Sequence, residues 1–375
     1  MTNPVSLHMF DRRLINYFDW GLLTITVLIC VMGLVLLYSA VSVDESAFQI
    51  SIFYKQIFWY GLGLIIMFFS FVFSYKHLDK WAPVIYLCSI ILLICVHLFG
   101  KHAGGSTRWL AIGPFTFQPS EPIKIALIII LARYFAHNVQ KTGITFRRLI
   151  IPIALTAVPF FLVATQPDLG TAGTILLIAG SMAIFAKIDR RTLICFILVA
   201  IVAIPIGWKV LEPYQKERVL TLLAPDRDPL GAGYHIRQSK IAVGSGLAFG
   251  KGYMQGTQKK LSFLPEQHTD FIFSVLAEEW GFAGSMFLLF MFLLLIAFAL
   301  NIAHGCRDSF GTILSVGIAS MMFWQIFINM GMVMGLMPVV GMPLPLVSYG
   351  GSSVFTMFIG IGLLMNVSMR RFTKQ

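Results

Sequence analysis

Leu264-Pro265-Glu266-Gln267-His268-Thr269-Asp270 runs directly into Phe271-Ile272-Phe273-Ser274-Val275-Leu276-Ala277, and this junction decides how the chain is read. On its N-terminal side lies the one long polar segment, Glu212 to Asp270; nearly everything else is apolar. The junction sets an acid, an imidazole and a carboxylate at the edge of an apolar helix, where a bilayer tolerates a carboxylate mainly when it has a use.

Of 375 residues, 57% are hydrophobic and 12% charged, against roughly 25% charged in a soluble globular domain. The sequence therefore describes an integral membrane protein. A hydrocarbon core about 30 Å thick needs roughly 20 apolar residues per helix, a criterion that yields about ten spans. They are residues 20–40, 56–74, 81–99, 121–136, 149–165, 171–186, 192–211, 282–303, 311–330 and 353–369. Segments 121–136 and 171–186 are short for a full crossing, which points to tilt, extension or shielding by protein. The expectation is an all-α polytopic membrane protein, one domain over 1–375, with a large extracytoplasmic loop at about 212–270 between helices 7 and 8.

Basic residues are retained on the cytoplasmic side of short connections. With the N-terminus inside, cytoplasmic pieces hold fourteen Lys and Arg, among them Arg147, Arg148, Arg190, Arg191, Arg370 and Arg371, whereas the short outer loops hold only Lys55, Lys101 and Arg108. Both termini are expected in the cytoplasm and the 212–270 segment outside. The net charge of +11 reads as a topology signal with anionic-lipid contact as a by-product, and its scatter over both faces argues against nucleic acid. Met1 to Asp19 lacks the pattern of a cleaved leader, so the first span is expected to be a retained anchor. Cys30, Cys88, Cys95 and Cys195 lie in apolar segments and Cys306 in a polar turn, without metal or disulfide spacing.

Three outer connections carry unusual residues. In Phe117-Gln118-Pro119-Ser120-Glu121-Pro122-Ile123-Lys124, Ser120 reads as a helix N-cap and Pro122 as a first-turn proline. Glu121 and Lys124 share a helix face and could pair, but a lysine this deep in an apolar run also points to a functional cavity. Asp168, in Gln166-Pro167-Asp168-Leu169-Gly170, reads as the cap of the next helix. In the long segment, His235 to Ile241 reads as a short amphipathic helix bearing Arg237 and Lys240. Glycines 244, 246, 250, 252 and 256 then form a flexible stretch able to bring backbone N–H groups to a ligand. Asp270 itself suits a helix cap as well as a functional base; Glu278 lies about 80° further round the helix and is a secondary candidate. Near the C-terminus, Gly335 to Ser353 is almost uncharged and broken by Pro338, Pro343 and Pro345, which suggests a re-entrant loop packed on protein or lining a cavity.

These residues in this order resemble the SEDS family (shape, elongation, division and sporulation), most nearly its elongation members. The resemblance covers nearly the whole chain. It rests on Arg108-Trp109-Leu110, Phe117 to Glu121, Gln166 to Gly170, Asp228-Pro229-Leu230-Gly231-Ala232-Gly233-Tyr234-His235, Leu264 to Phe273, and Pro343 to Gly351. It implies a ten-helix peptidoglycan glycosyltransferase in the bacterial cytoplasmic (inner) membrane, polymerising lipid II for cell elongation and rod shape beside a class B penicillin-binding protein and the elongation machinery. It also implies that Asp270 is the essential catalytic residue, and that Trp109, Glu121 and Lys124 match family positions; Pro122 after Glu121 is a mild departure. Placement near lipid headgroups suits Asp270 as base for a sugar hydroxyl, with Arg108, Lys124, Arg237 and Lys240 as cations for phosphates. A Mg²⁺ or Mn²⁺ ion held by Asp270 is a further option, although no ligand cluster in the sequence demands one; no organic cofactor is implied. The competing readings are a flippase for the same lipid-linked precursor and a non-catalytic scaffold of the cell-wall machinery.

Overall fold

The computed structural model describes residues 17–42, 47–103, 106–112, 115–138, 144–189, 213–224, 231–257 and 268–371, with isolated positions between 192 and 209. Among these residues there are eleven helices: α1 (Trp20–Val41), α2 (Ala47–Val72), α3 (Tyr75–Phe99), α4 (Pro122–Asn138), α5 (Phe146–Ala164), α6 (Leu169–Phe185), α7 (Pro213–Leu223), α8 (Ala232–Ser245), α9 (Ile272–Gly305), α10 (Ser309–Val333) and α11 (Gly351–Arg370). Three short strands, β1 (Lys101–Ala103), β2 (Ser106–Ile112) and β3 (Phe115–Phe117), form an antiparallel sheet in the order β1-β2-β3 between α3 and α4. The chain is thus mostly helical, and the connection before α4 is a small sheet that the all-α expectation did not contain.

Among the described residues, seven helices are long and apolar enough to cross a membrane: α1, α2, α3, α5, α9, α10 and α11. The two short predicted spans are the 17-residue helices α4 and α6. The predicted span 192–211 falls almost wholly outside the described residues.

Burial separates a centre from a rim. In α10 and α11, 72% and 89% of the membrane-length window is buried, against 28% in α2 and α5 and 22% in α3. The rim helices turn apolar side chains such as Ile65, Phe69 and Leu87 outward, where lipid is their natural solvent. Lipid tails are as apolar as leucine, so helices in a bilayer associate through close packing and small residues more than through the hydrophobic effect. Two glycines do this between α2 and α11. A Cβ on Gly63 would lie 2.4 Å from the Phe358 ring, and one on Gly362 would lie 2.7 Å from Ser70 Cβ.

Helix starts follow local chemistry. Asp19 Oδ1 accepts from Leu22 N at 3.1 Å and Asp308 Oδ2 from Gly311 N at 3.1 Å, capping α1 and α10. At the other end of α10, Gly335 adopts φ +68° and donates its N–H to Met332 O at 3.0 Å, the left-handed stop that favours glycine. The chain then enters the proline-broken loop, which is packed on protein: Met342, Leu344, Leu346, Val347 and Ser348 are buried. Tyr60 Oη of α2 donates to Leu346 O at 2.6 Å, and Gln56 Nε2 to Ser348 O at 3.2 Å.

α9 is 34 residues long and broken at Gly281, whose φ of +65° and ψ of −157° are not helical. The glycine-rich stretch after α8 fills this break. Lys251 N and Gly252 N donate to Glu278 O and Glu279 O, both at 3.0 Å, while Phe282 N and Ala283 N donate to Leu247 O at 2.8 Å and Ala248 O at 3.0 Å. Four peptide groups that the kink would leave unpaired in an apolar setting are thereby satisfied. The contact requires glycine: a Cβ on Gly246 would lie 1.8 Å from Ala277 O and one on Gly250 2.1 Å from Glu279 O. The expected flexible, ligand-facing stretch is corrected accordingly, because these N–H groups are committed to α9.

Candidate active site

Asp270 sits in the turn before α9, two residues before its first helical residue. The N-cap position belongs to Phe271 and receives no side-chain cap bond, so Asp270 is not the helix cap that the sequence alone allowed. Its backbone is fixed from two sides. Asn329 Nδ2, on the buried α10, donates to Asp270 O at 2.9 Å and to Met342 O at 2.6 Å. Ser348 Oγ donates to Thr269 O at 2.6 Å, and Tyr349 N to His268 O at 3.0 Å. The His268–Asp270 turn and the C-terminal loop are therefore one hydrogen-bonded unit, although about 80 residues of sequence separate the bonded positions.

The carboxylate points toward Gly341, whose φ is +69°. A Cβ placed on Gly341 would lie 3.4 Å from Asp270 Oδ2 and 4.0 Å from Arg108 Nη1. Glycine leaves a gap here with a carboxylate and a guanidinium at its edges. Arg108 arrives on β2 and is held by Pro167 O, which accepts from Nη2, and by Asp168, whose Oδ1 is 3.9 Å from Nη1. Its neighbour Trp109 is half-buried on the same strand.

Asp168 does more than the predicted capping. Its Oδ1 accepts from Thr171 N at 3.2 Å, as expected for the N-cap of α6, while Oδ2 accepts from Thr171 Oγ1 at 3.0 Å and Gln118 Nε2 at 3.2 Å. Ser120 Oγ also donates to Oδ2, at 3.5 Å. Ser120 is not the cap of α4, since that helix begins at Pro122; its hydroxyl serves Asp168 instead. Asp168 thus ties Arg108, the Gln118–Glu121 turn and α6 together.

Glu121 and Lys124 form the predicted pair, with Nζ to Oε1 at 2.8 Å and both side chains buried. Lys124 has no exposed surface, so its ammonium balances Glu121 inside the protein. Arg237 and Lys240 are exposed on α8, within which the predicted helix His235–Ile241 lies. Lys240 extends over Gly335, where a Cβ would meet its Nζ at 2.8 Å. Glu278 is buried and engaged: its Oε1 accepts from Lys251 Nζ at 2.7 Å, Thr257 N at 2.8 Å and Thr257 Oγ1 at 2.9 Å. It secures the loop in the α9 kink, with the neighbouring Glu279 accepting from Ser39 Oγ of α1 at 2.6 Å.

Sequence reading did not single out Asn329, Ser348 or Gln56. Each is a neutral polar residue among apolar ones, and Asn329 in mid-helix was the available signal, because a buried amide needs partners. Among the described residues no group of three or more His, Cys, Asp or Glu side chains could hold a metal ion. With Asp168 committed to Arg108 and its own network, Asp270 is the carboxylate at the gap. A single carboxylate would suit Mg²⁺ or Mn²⁺ only together with oxygens from a substrate's phosphates.

Comparisons with known proteins cover nearly the whole chain. A family model described as a cell cycle protein, FtsW/RodA/SpoVE, matches residues 20–373. Peptidoglycan glycosyltransferase MrdB of Escherichia coli K12 is 42% identical over 354 residues, covering 92% of this chain and 93% of its own. Stage V sporulation protein E of Bacillus subtilis is 37% identical, covering 93% and 96%. A chain from a solved peptidoglycan synthase complex that coordinates polymerization and crosslinking superposes with a TM-score of 0.81 at 32% identity, covering 95% of this chain and 99% of that one. The rod shape determining protein RodA of Thermus thermophilus superposes with a TM-score of 0.71 at 29% identity, covering 95% and 98%. The chain belongs to the FtsW/RodA/SpoVE family, the SEDS proteins.

Proposed function

We infer that this chain is a peptidoglycan glycosyltransferase of the elongation type that joins lipid II units into glycan strands, with Asp270 as the base. The observation that carries the reading is the gap at Gly341, with Asp270 Oδ2 and Arg108 Nη1 on its rim. Glycosyl transfer from a pyrophosphate-linked donor needs a base for the incoming hydroxyl and positive charge for the departing phosphates, more than a strong general acid. Asp270 takes the proton of the acceptor N-acetylglucosamine 4-hydroxyl as its oxygen bonds to C1 of the donor N-acetylmuramic acid. The bond from C1 to the undecaprenyl pyrophosphate breaks in the same displacement, inverting α to β, and the leaving charge is met by Arg108. Exposed Arg237 and Lys240 attract the pyrophosphate on its way in and out. The Glu121–Lys124 pair supports the Gln118–Glu121 turn, and through Asp168 the position of Arg108.

A divalent ion, Mg²⁺ or Mn²⁺, would add positive charge for the departing pyrophosphate. If a divalent ion does take part, Asp270 is its one described protein ligand at the gap, and polymer formation by chelated enzyme should then return on adding Mg²⁺ or Mn²⁺. In the bilayer we place ten spans with both termini in the cytoplasm, the 212–270 segment outside, and all 375 residues in one domain. The partner we assign is a class B penicillin-binding protein, a reading supported by the likeness to a synthase complex that both polymerises and crosslinks.

The test is polymerisation of purified lipid II by the purified chain and its partner in detergent. Detergent has no second leaflet to cross, so glycan product identifies a polymerase. Lipid II translocation in vesicles without any polymer in detergent would favour a flippase instead.

A further inference from the structure

The loop spliced into the α9 kink carries a surface that the reaction does not use. Phe249 and Leu247 are the most exposed large apolar side chains among the described residues, at 84% and 79%, and Tyr253 and Met254 are exposed beside them. Exposure of this kind in an ordered turn calls for an occupant. The turn is ordered by the backbone bonds from Lys251, Gly252, Phe282 and Ala283, and Tyr253 Oη also donates to Val35 O of α1 at 3.3 Å. Leu247 and Met254 hold φ of +48° and +61°, values that side chains other than glycine rarely adopt. The fold therefore keeps a costly backbone while leaving these side chains outside its core.

Two bonds set the height of the loop. Leu247 O and Ala248 O accept from Phe282 N and Ala283 N, and Phe282 begins the outward apolar face of α9, continued by Met286, Phe290 and Leu293. That helix has the highest mean hydropathy, 2.7, of the seven candidate spans. Leu247 and Phe249 are thus level with the end of a lipid-facing stripe. The cation in the turn, Lys251, is neutralised by buried Glu278 at 2.7 Å, which removes its preference for bulk water. Aromatic and apolar side chains at this level, with a tyrosine among them, are what a membrane–water interface favours.

We propose that the turn Gly246–Gln255 is an interfacial finger, with Leu247 and Phe249 inserted into the bilayer leaflet that meets Phe282. The finger fixes the depth of the Gly281 kink and, through the N-terminal part of α9, the level of Asp270 relative to lipid headgroups. Its occupant is lipid, on the ground of continuity with the α9 stripe.

The full chain, with its native cysteines replaced and a nitroxide attached at Phe249→Cys, is placed in phosphatidylethanolamine–phosphatidylglycerol vesicles. Collisions with oxygen, which enters lipid, are compared with collisions with a water-soluble nickel chelate, using Phe290→Cys as the mid-bilayer reference. The oxygen collision rate at position 249 should exceed the nickel rate several-fold, as at position 290. A label that nickel reaches as freely as it reaches free label in water would overturn the finger, and a label that neither reagent reaches would assign the patch to a protein partner. Should the cysteine-free chain lose its fold, benzoylphenylalanine replaces Phe249 in the otherwise native chain. Photolysis should then give adducts with phospholipid, whereas adducts only with protein or solvent would count against the proposal.

Discussion

Arg108 stands between two carboxylates and a backbone carbonyl, and a planar fork with several donors is what such a position requires. It donates to Pro167 O, lies 3.9 Å from Asp168 Oδ1 and faces the Gly341 gap that Asp270 also faces. A lysine carries one compact charge and cannot reproduce the fork. Arg108→Lys should lower the rate of polymerisation about 10²–10³-fold, comparable to the loss of one preorganised donor, with unchanged thermal unfolding of the detergent-solubilised protein. Asn329 acts on the backbone of the same site. Asn329→Ala leaves Asp270 O and Met342 O without their donor and should destabilise the protein by about 1–3 kcal/mol, read as a lowered unfolding temperature. The charged residues were legible in the sequence because a charge in an apolar chain is conspicuous. Asn329 was not, since its partners are two carbonyls distant in sequence, at positions 270 and 342.

At the scale of elements, the site depends on a broken helix and a loop that repairs it. The predicted span 282–303 lies within α9 but misses the start at Ile272 and the break at Gly281. One glycine within an apolar run hardly alters hydropathy, and its need becomes clear only when Gly246 and Gly250 approach from another segment. Gly246→Ala forces a Cβ against Ala277 O and should cost about 1–3 kcal/mol of stability as overpacking, loosening Glu278 from Lys251. The sheet after α3 was equally hidden, because its strands of three, seven and three residues are too short for alternation to register. The Glu121–Lys124 pair was readable from its spacing, and its burial sharpens its consequence. Lys124→Met strands a buried carboxylate and should cost about 3–5 kcal/mol. The double variant Glu121→Gln, Lys124→Met should recover most of that loss in a thermal unfolding assay.

Across the whole molecule, the buried α4, α10 and α11 form the centre, and the site is assembled from segments far apart in sequence. β2 brings Arg108, the α5–α6 turn brings Asp168, the α9 turn brings Asp270, and the proline-broken loop brings Gly341. Hydropathy and charge asymmetry made the membrane class legible, and motif order made the family legible. The convergence of four connections was not legible, because it is a property of packing. The claim on which the account rests is that this convergence makes Asp270 the base. The most direct measurement is lipid II polymerisation in detergent by the chain carrying Asp270→Ala, with its partner bound and its unfolding temperature checked against the unaltered protein. Loss of a general base should reduce the rate about 10²–10⁴-fold, leaving no detectable glycan from a folded, partner-bound protein. Glycan formation by that variant at the unaltered rate would contradict the account.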